Sequence, residues 1–234
     1  MTRLPKDRDT QLNREEIVAE TLRQFDEEGR EASVRGLAAA LRVTPGAIYN
    51  HFPSREAIIR AAVRRVWDQA LRELLELLPE PFEADPREVL VACGVATRRA
   101  WLAHYRLAPY LAASPEADGF ARDGLGMLSR LMEQLGLPPK EAASAFHSYM
   151  SFMIGSVLFA AARKVANDRL AEEGSGPDRH FRIEHTAESA TGSNQETREA
   201  IDEMVDLSIH DPAADEEQFV AGMRKLVASL TTLA

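Results

Sequence analysis

The sequence holds one cysteine, Cys93, in 234 residues. A lone thiol closes no internal disulfide and builds no Cys-based structural zinc site, so a secreted cystine scaffold is excluded. The chain reads as reduced and intracellular, with a cytoplasmic location expected. Long apolar runs are also missing. The longest nearly apolar stretch, residues 152–162, falls short of the roughly 20 residues that cross a bilayer, and residues 1–10 hold no apolar signal core. No membrane partner is expected. No stretch alternates as a strand would and no repeat is present, which points to an all-α chain. Neither a Gly-rich phosphate cradle nor a catalytic triad can be traced. Cys93 sits beside Gly94 in an apolar segment with no basic neighbour within two residues to activate it, so it reads as a small core residue. No catalytic residue and no cofactor are expected.

Positive charge is scarce: 28 Lys and Arg stand against 37 Asp and Glu, a net charge of −9. Taken as one number this argues against nucleic acid, whose phosphates attract cationic protein. The distribution is uneven, however. Residues 1–32 carry −3 and residues 67–234 carry −11, while residues 33–66 carry +5. There Arg35, Arg42, Arg55, Arg60, Arg64 and Arg65 are opposed only by Glu56.

Helix signals recur along the chain. Asn13 with Glu16 forms a capping-box pattern, Leu12 and Ile17 are placed as a hydrophobic staple, and apolar residues continue at helical spacing to Gly29. Ser33 can cap a short second helix with Val34, Leu37, Ala38 and Leu41 on one face. Thr44 can cap a third helix with Pro45 at its first position, where the missing N–H is harmless. Pro53 ends it, and Ser54 opens a longer fourth helix that runs to Pro79. Pro79, Pro81 and Pro86 mark a joint, and Asp85 with Glu88 is a second capping box, opening a helix through Trp101. Further helices are expected over 106–113, from near 115 to 136, and over 142–162. The last of these is apolar nearly all round and must be covered. Residues 167–196 are polar and Gly/Ser-rich and read as a long mobile connection, with room for frayed helix at its start. Two final helices carry Ile201 to Ile209 and Phe219 to Leu230.

Two short helices joined by a tight turn, braced by one helix before and a long one after, are the parts of a helix-turn-helix whose second helix enters the major groove. The string SVRGLAAALRVTPGAIYNHFPSRE, residues 33–56, closely resembles the tetracycline-repressor (TetR) family of bacterial transcription regulators. The resemblance covers about residues 13–66. It implies a DNA-binding domain over 1–66 and a helical ligand-binding and dimerisation domain over 67–234. Thr44 and Pro45 set the positive end of a helix dipole where phosphate would lie, and Gly46 and Ala47 permit close approach to a groove. Tyr49 matches the family Tyr that contacts phosphate, the alternative being a ring packed against the first helix. His51 is a phosphate contact or a helix-end group, and Asn50 an adenine reader or a surface residue. Arg35, beside the cap Ser33, and Arg55 match positions from which relatives contact bases or backbone. Gly36 weakens its helix by about 1 kcal/mol relative to Ala, for packing or for DNA approach.

The resemblance further implies a homodimer reading a palindromic double-stranded operator, released by a small-molecule effector in the larger domain. Aligned with the tetracycline repressor, Leu71 stands at a drug-contacting His, Leu111 at a metal-binding His and Phe159 at a metal-binding Glu. Apolar replacement of all three argues against a metal–drug complex and for a mostly apolar or aromatic ligand, with no metal site. Trp101, His147, Met150 and Ile154 complete the ligand candidates, though a core or interface role is the alternative for His147 and Met150. His180, Glu184 and His185 lack regular ligand spacing. A helical module that binds ligand or protein with vestigial DNA binding, and a constitutive regulator without effector, are the competing readings.

Overall fold

The computed structural model describes residues 12–28, 32–113, 119–172, 195 and 212–230. Among these every regular element is helical, in keeping with the all-α expectation. The order is α1 (Arg14–Glu28), α2 (Val34–Leu41), α3 (Pro45–Tyr49), α4 (Arg55–Leu77), α5 (Pro86–Ala103), a 3-10 turn (Tyr105–Leu107), α6 (Pro109–Ala113), α7 (Gly119–Gln134), α8 (Pro139–Glu172) and α9 (Pro212–Leu230).

The helix starts follow from local chemistry. Glu16 N–H donates to Asn13 Oδ1 at 2.9 Å while Asn13 N–H donates to Glu16 Oε2 at 3.3 Å, a reciprocal box flanked by buried Leu12 and Ile17. Ser33 Oγ accepts from Gly36 N–H at 3.0 Å, Thr44 Oγ1 from Ala47 N–H at 3.2 Å and Ser54 Oγ from Ala57 N–H at 3.2 Å. Asp85 caps α5 through Arg87 N–H at 2.8 Å, one residue earlier than the predicted pairing with Glu88.

α4 is the shared wall of the molecule: it packs on both α1 and α5. The expected domain boundary at 66/67 therefore falls inside a continuous helix. Ile17, Leu37, Ile48, Phe52 and Ile58 fill the N-terminal core, and Leu90, Trp101, Leu107, Met132, Tyr149 and Met223 the C-terminal one. The two parts also meet at the 3-10 turn. His104 Nδ1 lies 2.8 Å from Asp26 Oδ2 of α1 and its Nε2 3.2 Å from Gln69 Oε1 of α4. Arg106 donates to the Asp26 carbonyl at 3.0 Å and pairs with Asp168 of α8 at 2.6 Å.

Two expectations need correction. The helix expected over 106–113 is split, because Pro109 has no N–H to continue the 3-10 turn and instead opens α6. α8 extends well beyond 162, through 167–172, where a mobile connection was expected; Arg163 and Asp168 look like surface residues in the sequence but pair with other helices. By length and composition α8 is also long and apolar enough to cross a membrane, although no single unbroken apolar run is. It packs against α5, α7, α9 and the 3-10 turn, and about a third of its most apolar window is buried within the chain. The expected helix at 201–209, residues 173–194 and 196 of the connection, and His180, Glu184 and His185 lie outside the described residues.

Candidate nucleic-acid interface

α2 and α3 are joined by a turn in which Arg42 adopts the left-handed region, φ 57° and ψ 40°. Arg42 N–H donates to Ala39 carbonyl at 3.2 Å and Val43 N–H to Ala38 carbonyl at 2.9 Å, which closes the end of α2 and buries Val43. Three residues later α3 begins, with Ala47 and Ile48 buried against the core. Its other face is open. Thr44, Pro45, Gly46, Tyr49 and Asn50 are exposed, Tyr49 by 52% directly beside the fully buried Ile48. Ser33 and Arg35 are exposed at the start of α2.

The two glycines of this unit differ. A Cβ on Gly36 would lie 3.0 Å from Ser33 Oγ and 3.4 Å from Oε1 of buried Gln24, so its missing side chain serves the cap and the α1–α2 approach. A Cβ on Gly46 would meet only Thr44 Oγ1, at 3.8 Å. Nothing among the described residues requires glycine there.

Two arginines turn inward. Arg55 Nε–H donates to the Ala32 carbonyl at 2.9 Å, and the side chain is half-buried, so this part of the expected phosphate contact is used inside the protein. Arg14 stacks on the Phe52 ring, its guanidinium carbon 4.0 Å from the centroid, and donates to the carbonyl of half-buried His51. Neither role is visible in the sequence, since the partners are 23 and 37 residues away. Glu56, the one acid of the basic segment, has its carboxyl held below the usual range by its own backbone N–H and then by the Ser54 hydroxyl.

The ligand candidates are scattered. Trp101 is fully buried edge-on to Trp67, with ring centroids 5.7 Å apart, and its indole N–H has no partner among the described residues. Leu111 is buried, Met150 and Ile154 are half-buried, and Leu71, His147 and Phe159 are exposed. None of the seven lines either of two clefts in the body. One, of about 590 Å³, lies between the 3-10 turn with α6 and the C-terminal half of α8, with Tyr105, Arg106, Pro109, Leu158, Val165 and Asp168 among its walls. The other, of about 560 Å³, is bordered by the α4–α5 connection and α7, including Phe82, Met127 and Leu131. Cys93 is buried in α5, which pushes its thiol up to about 12.

A helix-turn-helix with an open second helix, carried on a long helix into a second helical body, defines a DNA-binding transcription regulator. Residues 17–62 match the model of bacterial regulatory proteins of the tetR family, and residues 78–206 that of the tetracyclin repressor-like C-terminal domain. The chain belongs to the TetR family. Among solved structures it is similar to the transcriptional regulator SCO7222, a TetR from Streptomyces coelicolor, with 23% identity and a TM-score of 0.68 over 95% of this chain and 99% of that one. A TetR variant from Acinetobacter baumannii AYE in complex with minocycline gives 21% and 0.62 over 95% and 98%. BioQ with its double-stranded DNA operator gives 21% and 0.55 over 72% and 99%. At these identities the likeness is one of fold. No curated protein matches the sequence.

Proposed function

We propose that this regulator is a cytoplasmic, homodimeric repressor that leaves a palindromic operator when a mostly apolar or aromatic small molecule occupies its body. The observation that carries the DNA reading is the face of α3: exposed Tyr49 and Asn50 beside buried Ile48, with Gly46 unconstrained by packing. An aromatic side chain left in water next to a full core suits a partner that accepts its hydroxyl, and a bare backbone at Gly46 suits a groove. Ser33, Arg35, Thr44, Pro45 and His51 complete the surface, with part of Arg55, whereas Ala47, expected in the groove, is buried and serves the core. The acidic remainder of the chain repels duplex DNA and leaves this face as the favourable approach.

Dimerisation is supported by α8, which leaves Phe152 and Phe159 36% and 62% exposed and most of its apolar window uncovered within the chain. Two heads on one side of a duplex imply half-sites about one turn, ~34–36 Å, apart. For the effector, the cleft behind the 3-10 turn is favoured over the scattered candidates, because its wall residue Arg106 also holds the Asp26 carbonyl of α1. Occupancy there is one bond away from the head.

The test is selection of duplexes from a randomised library by the full-length protein, followed by anisotropy titration. A palindrome should be enriched and bound far more tightly than random duplex. Six or more phosphate contacts would make affinity fall on the order of a thousandfold or more between roughly 50 and 200 mM salt. Binding no better than to random duplex would end this reading. Ala162→Phe, which fills the cleft, should leave duplex affinity intact while abolishing release by any compound found to cause it.

A further inference from the structure

Arg14 and Arg55 are each the first residue of a helix, α1 and α4 respectively. A cation at that place opposes the helix dipole, so neither is there to stabilise its own helix. Each instead reaches a backbone carbonyl at one edge of the α2–α3 unit. Arg55 takes the carbonyl of Ala32, the residue just before the Ser33 cap, at 2.9 Å. Arg14 takes the carbonyl of His51, just beyond α3, and lies 4.0 Å over the ring of Phe52, which is 1% exposed. α3 is only five residues long and ends in Asn50, His51 and Phe52 amides bonded to Gly46 and Ile48 carbonyls. So short a helix has little internal stability and takes its direction from what holds its ends.

We propose that Arg14 and Arg55 are positioning residues that clamp the reading unit at its exit and its entrance, and that the phosphate-facing charge of the head lies elsewhere. This rests on the reading of α2 and α3 as the DNA-contacting unit. It separates the arginines of the head into two kinds. The side chains of Arg35, Arg42 and Arg60 are exposed and, among the described residues, hold no carbonyl of the unit, whereas Arg14, although also exposed, and half-buried Arg55 act through His51, Phe52 and Ala32.

Salt dependence distinguishes the kinds. With full-length protein and a duplex that it has itself selected, Arg14→Ala should weaken binding about tenfold at every salt concentration, from loss of a charged hydrogen bond and a cation–π contact, with an unchanged slope of log K on log salt. Arg35→Ala should lower that slope by about 0.9, one phosphate contact. A slope that falls equally in Arg14→Ala, or an unchanged affinity, would overturn the clamp. Amide exchange without DNA supplies a second readout: Arg14→Ala should speed exchange at Asn50, His51 and Phe52, and Arg55→Ala at Gly36 and Leu37. If Arg35→Ala and Tyr49→Ala also leave duplex affinity untouched, it is the DNA surface that fails, and the exchange rates alone then decide the clamp, unchanged rates overturning it.

Discussion

The head and the body are held by bonds of different reach. In the head, α1 to α4 are fixed at their starts by Asn13, Ser33, Thr44 and Ser54, each bonded to an amide three residues on. In the body the defining polar contacts join distant segments. Arg98 of α5 meets Ser156 of α8 at 2.9 Å and Asp215 of α9, Arg163 of α8 meets the same Asp215 at 2.7 Å, and Arg99 chelates Glu216. Arg99 is thereby raised and the Glu216 carboxyl lowered, each first by their mutual hydrogen bond. Tyr149 O–H donates to the Leu90 carbonyl at 2.8 Å, and burial pushes that hydroxyl well up from its ordinary value. The helix starts of the head are thus set locally, with Arg14 and Arg55 as its longer ties, whereas the body is held chiefly by bonds between helices that have already met.

That contrast can be broken, beginning with its largest expected effect. Asp215→Ala leaves two nearly buried guanidinium groups short of a carboxylate and should destabilise the body by about 3 kcal/mol, read from urea unfolding. Cys93 is the reporter. With its thiol pushed up to about 12 it should resist alkylation at pH 8 in the native protein and react in Asp215→Ala at moderate urea. Thr44→Ala should cost about 1 kcal/mol by removing one cap, and leave Cys93 protected. Equal labelling in both variants would erase the division between head and body. Arg42→Gly, at a left-handed position that glycine occupies without strain, should stabilise the head by up to about 1 kcal/mol in the same assay. Tyr49→Ala should shift stability by less than about 0.5 kcal/mol because the ring is half in water, while weakening duplex binding.

The same contrast explains what the sequence could disclose. Caps and helical spacing act over three or four residues, so Ser33, Thr44 and Ser54 announce α2, α3 and α4 to within a residue. The exposed character of Tyr49 follows from the burial of Ile48 beside it. The inward use of Arg55, by contrast, requires knowing that Ala32 returns alongside α4. In the body, Asp168 and Arg163 have the composition of a loop and are helical because Arg106, Tyr105 and Asp215 receive them. None of the seven ligand candidates lines either cleft, for a related reason. Helical spacing by itself fixes neither which face of α8 is covered, and so the exposure of His147, nor the depth of Trp101.

One consequence belongs to α4. As a single helix of 23 residues it spans about 34 Å, at ~1.5 Å per residue, and it packs against both α1 and α5. A rotation of about 5° about its body end would carry the far end through roughly 3 Å, close to the ~3.4 Å rise of one base pair along a strand. Such a rotation would turn a small angle in the body into a displacement as large as the unit in which DNA is spaced.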